Sequence, residues 1–145
     1  MYTEIAKAMM DSSDSLNRQF FVWQMQNKSN DLEQFFENEV LPELDHCMLA
    51  LAVNQGLTYE EAEAYIKRDY LVYPESSIET VFNEVLQMKS ESILDDVPKY
   101  LQEYIDIEDY AKELECYNTR AEIISGEDWE ETQEIDGVTY YIFKY

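Results

Sequence analysis

"DGVTYYIF", residues 136–143, decides the fold class. Asp136-Gly137 is a two-residue hairpin signal, because a type I′ turn needs positive φ at both positions and these two residues tolerate it. Val138, Thr139, Tyr140, Tyr141, Ile142 and Phe143 follow, an unbroken β-branched and aromatic run that suits a pleated strand. Upstream the pattern changes. Glycine and proline number only three each, too few for a turn-rich β fold, and the apolar residues fall mostly at helical spacing. The expected class is therefore α+β, predominantly helical, with a small C-terminal β-hairpin or three-stranded sheet. Residues 121–124, Ala-Glu-Ile-Ile, are the expected second strand.

Moving toward the N-terminus, Asp106 is placed to cap a helix whose Ile107, Tyr110, Ala111 and Leu114 make one apolar stripe. Before it, Pro98 opens a short helical turn with Tyr100, Leu101, Tyr104 and Ile105 on one face. These tyrosines and aliphatics are expected to hold both segments to the core. Ser76 with Glu79 reads as a capping box leading a helix with Ile78, Val81, Phe82, Val85 and Leu86. Thr58 with Glu61 reads as another, opening a helix that runs to about Tyr70.

The first third is helical throughout. Cys47, Met48, Leu49, Leu51, Ala52 and Val53 are apolar nearly all round, the mark of a buried helix, and Asn54-Gln55-Gly56 stops it. Leu32, Phe35, Phe36 and Val40 form an earlier helix, opened by an Asn30–Glu33 capping pair and kinked or ended at Pro42. Phe20, Phe21, Trp23 and Met25 form another apolar segment. The stop at Gly56 suggests two parts: a helical N-terminal module, residues 1–56, and an acidic region, residues 57–145, that ends in the hairpin.

Charge is the strongest functional signal. The chain holds 32 acids against 10 bases, a net charge of −22 over 145 residues. Solubility requires a magnitude of only about 2–8 in a small domain, and the excess opposes folding by self-repulsion. Residues 1–57 carry nine acids and three bases, whereas residues 58–145 carry 23 and seven. The second part is thus the expected working surface. Direct nucleic-acid binding and anionic membrane are disfavoured partners, since both would repel it. No stretch approaches the roughly 20 apolar residues of a membrane span. The first residues lack a basic start and a long apolar run, so the expected location is cytoplasmic, with Cys47 and Cys116 reduced.

Catalytic signatures are weak. His46 is the only histidine, and it adjoins the most apolar helix, where a packing or capping role outweighs catalysis. A helix would turn His46 and Cys47 about 100° apart, poor geometry for a shared metal. The acidic segment 127–137 does not fit the EF-hand spacing, and there is no glycine loop for phosphate. The expectation is a protein that is not an enzyme and uses no metal or cofactor.

What dense carboxylates can do is imitate nucleic acid. Carboxylates on neighbouring helical turns stand about 5–6 Å apart, and at alternate strand positions about 6–7 Å. Phosphates on one DNA strand advance about 3.4 Å along the axis while winding around it. A folded surface with acids at every turn therefore offers a DNA-binding enzyme's basic channel a comparable charge density. The acids expected to contact such a partner are Glu103, Glu108, Asp109, Glu113, Glu115, Glu127, Asp128, Glu130 and Glu131. Trp129 is a candidate anchor, with a place in the hairpin core as the equal alternative.

One stretch also carries a resemblance. Pro98, Leu101, Tyr104, Ile105, Asp106, Tyr110, Ala111, Lys112, Glu113 and Leu114, followed by the aromatic strand and basic residue Tyr140-Tyr141-Ile142-Phe143-Lys144, resemble the C-terminal part of the ArdA antirestriction family. Arginine and aspartate are commoner there at the positions of Lys112 and Glu113. The resemblance covers about residues 58–145 and leaves 1–56 unmatched. It implies an acidic DNA mimic from phage or mobile DNA, commonly dimeric, that occupies the DNA groove of type I restriction-modification enzymes inside a bacterial host cell. An anti-CRISPR protein blocking a Cas nuclease such as Cas9 is the sibling expectation. A helical adaptor, charged only for solubility, is the alternative from a different class.

Overall fold

The computed structural model describes residues 1–145. Eight α-helices and three strands follow in the order α1 (Thr3–Ser12), α2 (Asp14–Asn27), α3 (Leu32–Phe35), α4 (His46–Gln55), α5 (Tyr59–Tyr65), β1 (Tyr70–Pro74), α6 (Glu75–Glu91), α7 (Ile107–Tyr117), α8 (Arg120–Ser125), β2 (Glu130–Ile135) and β3 (Val138–Lys144). The fold is α+β and predominantly helical, with one three-stranded antiparallel sheet in the order β1-β3-β2. No helix is long and apolar enough to cross a membrane.

The sheet divides the interior. Side chains alternate across a strand, and β3 is paired on both sides, so its two faces both find cover. Tyr140 and Ile142 point one way, together with Val72 of β1 and Ile135 of β2. They join Leu49, Leu51 and Ala52 of α4, Phe35, Phe36 and Trp23 in the larger core. Phe143 points the other way, onto Ile78 of α6 and Ala121 and Ile124 of α8. The result is helices, sheet, helices. α7 lies outside again, against α6 and α8. The expected division at residue 56 falls at the α4 stop, and the larger core spans it.

Several local expectations are met for their stated reasons. Asp136 and Gly137 both have positive φ, 50° and 79°, and join β2 to β3. Leu49, Ala50, Leu51 and Ala52 are fully buried, and Gly56 closes α4 in the left-handed conformation. Thr58 and Glu61 form a reciprocal capping box at α5. The Asp106 carboxylate accepts from the Asp109 amide at 3.2 Å and caps α7.

Others are corrected. Residues 121–124 are not a strand but the body of α8. A second reciprocal capping box, Thr119 with Glu122, opens it, and Gly126 closes it at φ 86°. The α5 helix ends at Tyr65 rather than near Tyr70. Lys67 turns the chain at φ 67°, and Tyr70-Leu-Val-Tyr-Pro74 becomes β1, an unanticipated third strand. Glu79 does not cap α6, which begins at Glu75 after Pro74 with no side-chain cap. Asp31, not Asn30, caps α3 by accepting from the Gln34 amide. Glu33 instead accepts from the Tyr2 amide at 3.1 Å, 31 residues away. Before Pro42, which has no N–H to offer, the helix widens into a π turn over Phe36–Val40, and the Leu41 amide bonds the Phe36 carbonyl.

The expectation that Tyr100, Leu101 and Tyr104 anchor to the core fails. Lys99–Tyr104 is a 3₁₀ segment with no buried residue, and Tyr100 and Tyr104 are 74% and 77% exposed. Six residues at three per turn are too short to present a broad apolar stripe. The segment is held through Gln102, whose amide donates to the carbonyls of Leu94 at 2.9 Å and Val97 at 3.1 Å.

Candidate protein-binding surface

No carboxylate is buried. Apart from the aromatic side chains of Tyr2, Trp23 and Tyr140, Ser90 is the only polar side chain among the buried residues, and its hydroxyl donates to the Leu86 carbonyl. Of the 32 acids, only Glu4, Glu33, Asp69 and Glu130 have a cationic partner within 4.0 Å. The remaining acids face water without a neutralising base. No three His, Cys, Asp or Glu side chains converge closely enough to hold a metal ion.

All nine acids singled out in the sequence are exposed. The structure distributes them over three places. Glu103 stands on the 3₁₀ segment before α7. On α7, Asp109 and Glu113 are four apart and share one flank, while Glu108 and Glu115 are seven apart and share the other. The apolar stripe Ile107, Tyr110, Ala111 and Leu114 lies between the flanks and is half-buried. The third place is the turn before β2 and its first residues, Glu127, Asp128, Glu130 and Glu131. Here Asp128 accepts from the Thr119 hydroxyl at 2.9 Å, which fixes the turn to the start of α8.

Trp129 is half-buried, packed edge-on against Tyr70 at 6.0 Å and 62°, and it abuts the larger core. His46 places Nε2 2.9 Å from the Leu41 carbonyl, which accepts the ring proton and is thereby capped. Cys47 and Cys116 are both free thiols, and burial pushes the Cys47 thiol above its ordinary range.

Two of the nine acids border one cavity. Glu115 of α7 and Glu130 of β2 line one groove of about 690 Å³ on the α6–α8 side of the sheet. Glu75 and Glu79 of α6 line it too, and sequence reasoning did not place them in a site. Their signal was the i, i+4 spacing of two acids on one helix face, which the capping reading of Glu79 obscured. Arg120, also unanticipated, reaches across the groove. It donates Nε to Glu130 Oε1 at 2.8 Å and Nη2 to Glu130 Oε2 at 2.9 Å, with its guanidinium 4.8 Å from the Tyr141 ring centroid. The bidentate hydrogen bonds hold its pKa above the usual arginine range.

No family model, curated protein or solved structure matches the chain.

Proposed function

We propose that the chain is an acidic DNA mimic that inhibits a bacterial defence enzyme by competing with DNA for its basic channel. The preferred target is a type I restriction-modification nuclease or methyltransferase, as the ArdA resemblance implies, and a Cas nuclease is the alternative. The supporting observation is the uncompensated charge: every acid reaches the surface and only four have a cationic partner. An acidic protein selected only for solubility has no need to leave so many charges unpaired on a rigid body. Channel residues that meet phosphates can meet these carboxylates instead, with steering and counterion release as driving forces. In this reading the chain catalyses nothing and needs no cofactor.

The experiment is inhibition of a type I enzyme, and in parallel of a Cas nuclease, with duplex DNA as competitor over a salt series. The expected result is competitive inhibition that weakens steeply with salt. Inhibition that DNA does not relieve, or none of either enzyme, removes the reading.

A helical adaptor is the second reading, and one observation favours it. On α2, Phe21, Val22 and Met25 are 62%, 50% and 68% exposed and share one face. A partner seated there by apolar contact would bind independently of salt. Loss of that binding on Phe21→Ser would support this reading.

A further inference from the structure

Trp23 is buried against Phe20 and Phe35 and fixes α2 to the larger core. That orientation turns a different face outward. At about 100° per residue, Asp14, Arg18, Phe21, Met25 and Lys28 fall within an arc of about 80°, and Val22 lies at its margin. All six are exposed. Counting its cap Lys28, α2 is the only α-helix with net positive charge: residues 14–28 hold one acid and two bases. The rest of the chain keeps 31 acids and eight bases. Arg18 and Lys28 have no carboxylate within 4.0 Å, although the chain holds 32 acids.

These charges select the occupant of the apolar face. A basic channel gains nothing from a stripe with two cations and one acid. A second copy of the chain is repelled by every strongly acidic face and least repelled here. The stripe is also self-complementary, as a two-fold interface requires. Asp14 and Lys28 stand seven residues to either side of Phe21. An axis through Phe21 sets two α2 helices antiparallel and puts Asp14 of each opposite Lys28 of the other, at ends about 21 Å apart. Beside the stripe, Val22, Trp23 and Phe35 line a groove of about 410 Å³ bordered by Arg18 and Glu39, an apolar recess next to the incoming Phe21.

We propose that α2 is the interface between two copies of this chain, paired antiparallel about an axis at Phe21. One helix pair covers less than the about 1,600 Å² of a standard interface, so the dimer dissociates at roughly 10–100 µM. The acid-bearing α7 packs on α6 and α8, beyond the sheet, and pairing through α2 leaves it open. The proposal does not rest on the DNA-mimic reading.

The test is sedimentation equilibrium of the full chain from about 5 to 500 µM, at about 0.05 M and 0.5 M salt. The dimer fraction should rise with concentration and also with salt, because screening relieves the repulsion between two chains of charge −22. Concentration-dependent NMR shifts of the parent chain should be confined to α2 and the groove beside it. The Phe21→Ser, Met25→Ser variant should dimerise at least about tenfold more weakly, with an unchanged circular-dichroism spectrum. Asp14→Lys alone and Lys28→Asp alone should each weaken the dimer about threefold or more, and the two together should restore it. A chain monomeric at every concentration, shifts spread over other faces, undiminished pairing of the serine variant, or a combined charge variant no better than the single ones overturns the proposal. A monomeric chain whose α2 captures a different protein overturns it too. Salt-sensitive, DNA-competitive inhibition by a strictly monomeric chain would retain the channel reading and remove this one.

Discussion

Ile142 and Phe143 are consecutive, both fully buried, and belong to different cores. The pleat of β3 sends one toward α4 and the other toward α6 and α8. A single seven-residue strand therefore couples the two sides of the molecule. Truncating either to alanine should destabilise the fold by roughly 2–5 kcal/mol. The two variants should differ in where protection is lost. Phe143→Ala should accelerate hydrogen exchange first in α6 and α8, and Ile142→Ala first in α4. Identical exchange patterns would mean that the two cores do not open separately.

Arg120 links α8 to β2 by its fork onto Glu130 and its stack on Tyr141. Exposed ion pairs and cation–π contacts each contribute up to about 1 kcal/mol. Arg120→Ala should thus lower stability by about 1–2 kcal/mol in urea denaturation. Ethylguanidinium at millimolar concentration should restore part of the loss, because the alanine variant keeps Glu130 and Tyr141 in place. Equal effects of ethylguanidinium on parent and variant would argue against a formed site.

The unpaired carboxylates repel one another in the folded state more than in the expanded chain. Raising salt from about 0.01 M to about 0.15 M shortens the screening length from about 30 Å to about 8 Å. Thermal stability should rise with it. A relief of about 1 kcal/mol would lift Tm by about 3 °C in a chain of this size. A Tm that falls with salt would show that the few ion pairs outweigh the repulsion.

Reversing Glu108, Asp109 and Glu113 together to lysine tests α7 as a contact surface. None of the three side chains caps or pairs within the fold. Two of them lie in the first helical turn, where lysine opposes the helix dipole by about 0.3–1 kcal/mol each. The circular-dichroism spectrum should persist while inhibition of the target enzyme drops by at least about tenfold. Full inhibition by the folded variant would remove α7 from the interface.

Alkaline pH should unfold the protein through its tyrosines. Burial raises the pKa of Tyr2, Tyr73 and Tyr140 above the ordinary tyrosine value of 10.0. The folded state thus holds these protons more tightly than the unfolded chain. Their contribution is complete below pH about 10 and is lost as pH rises through the unfolded and then the folded values. Denaturation midpoints should decline above that pH. Tyr140→Phe should soften the decline, and an unchanged slope would exclude Tyr140 as a contributor.

What could be read from the sequence was local. The Asp136-Gly137 turn, the all-apolar α4 and the caps at Thr58 and Asp106 each depend on residues within a turn or two of one another. The misreadings arose where local signals competed. Ala121-Glu-Ile-Ile124 has strand-like residues, but the Thr119–Glu122 box and Gly126 make it helical, and Phe143 supplies the burial. Tyr70–Pro74 became a strand because β3 offered it an edge more than 60 residues away. The acids of the candidate surface were legible as exposed, since bases to pair them are scarce. Their grouping was not, because Glu75, Glu115 and Glu130 come from three elements brought together only by packing on one side of the sheet.

The outer edge of β2 has no neighbouring strand. Such an edge is an open template for copying, and a second chain could extend it into a fibre. Here it carries Glu130, Glu131 and Glu134. A copy docking edge to edge would bring like charges into register and be driven off. The sheet terminates itself at three strands, and a chain with this much apolar β sequence at its C-terminus is kept from polymerising by the side chains along its rim.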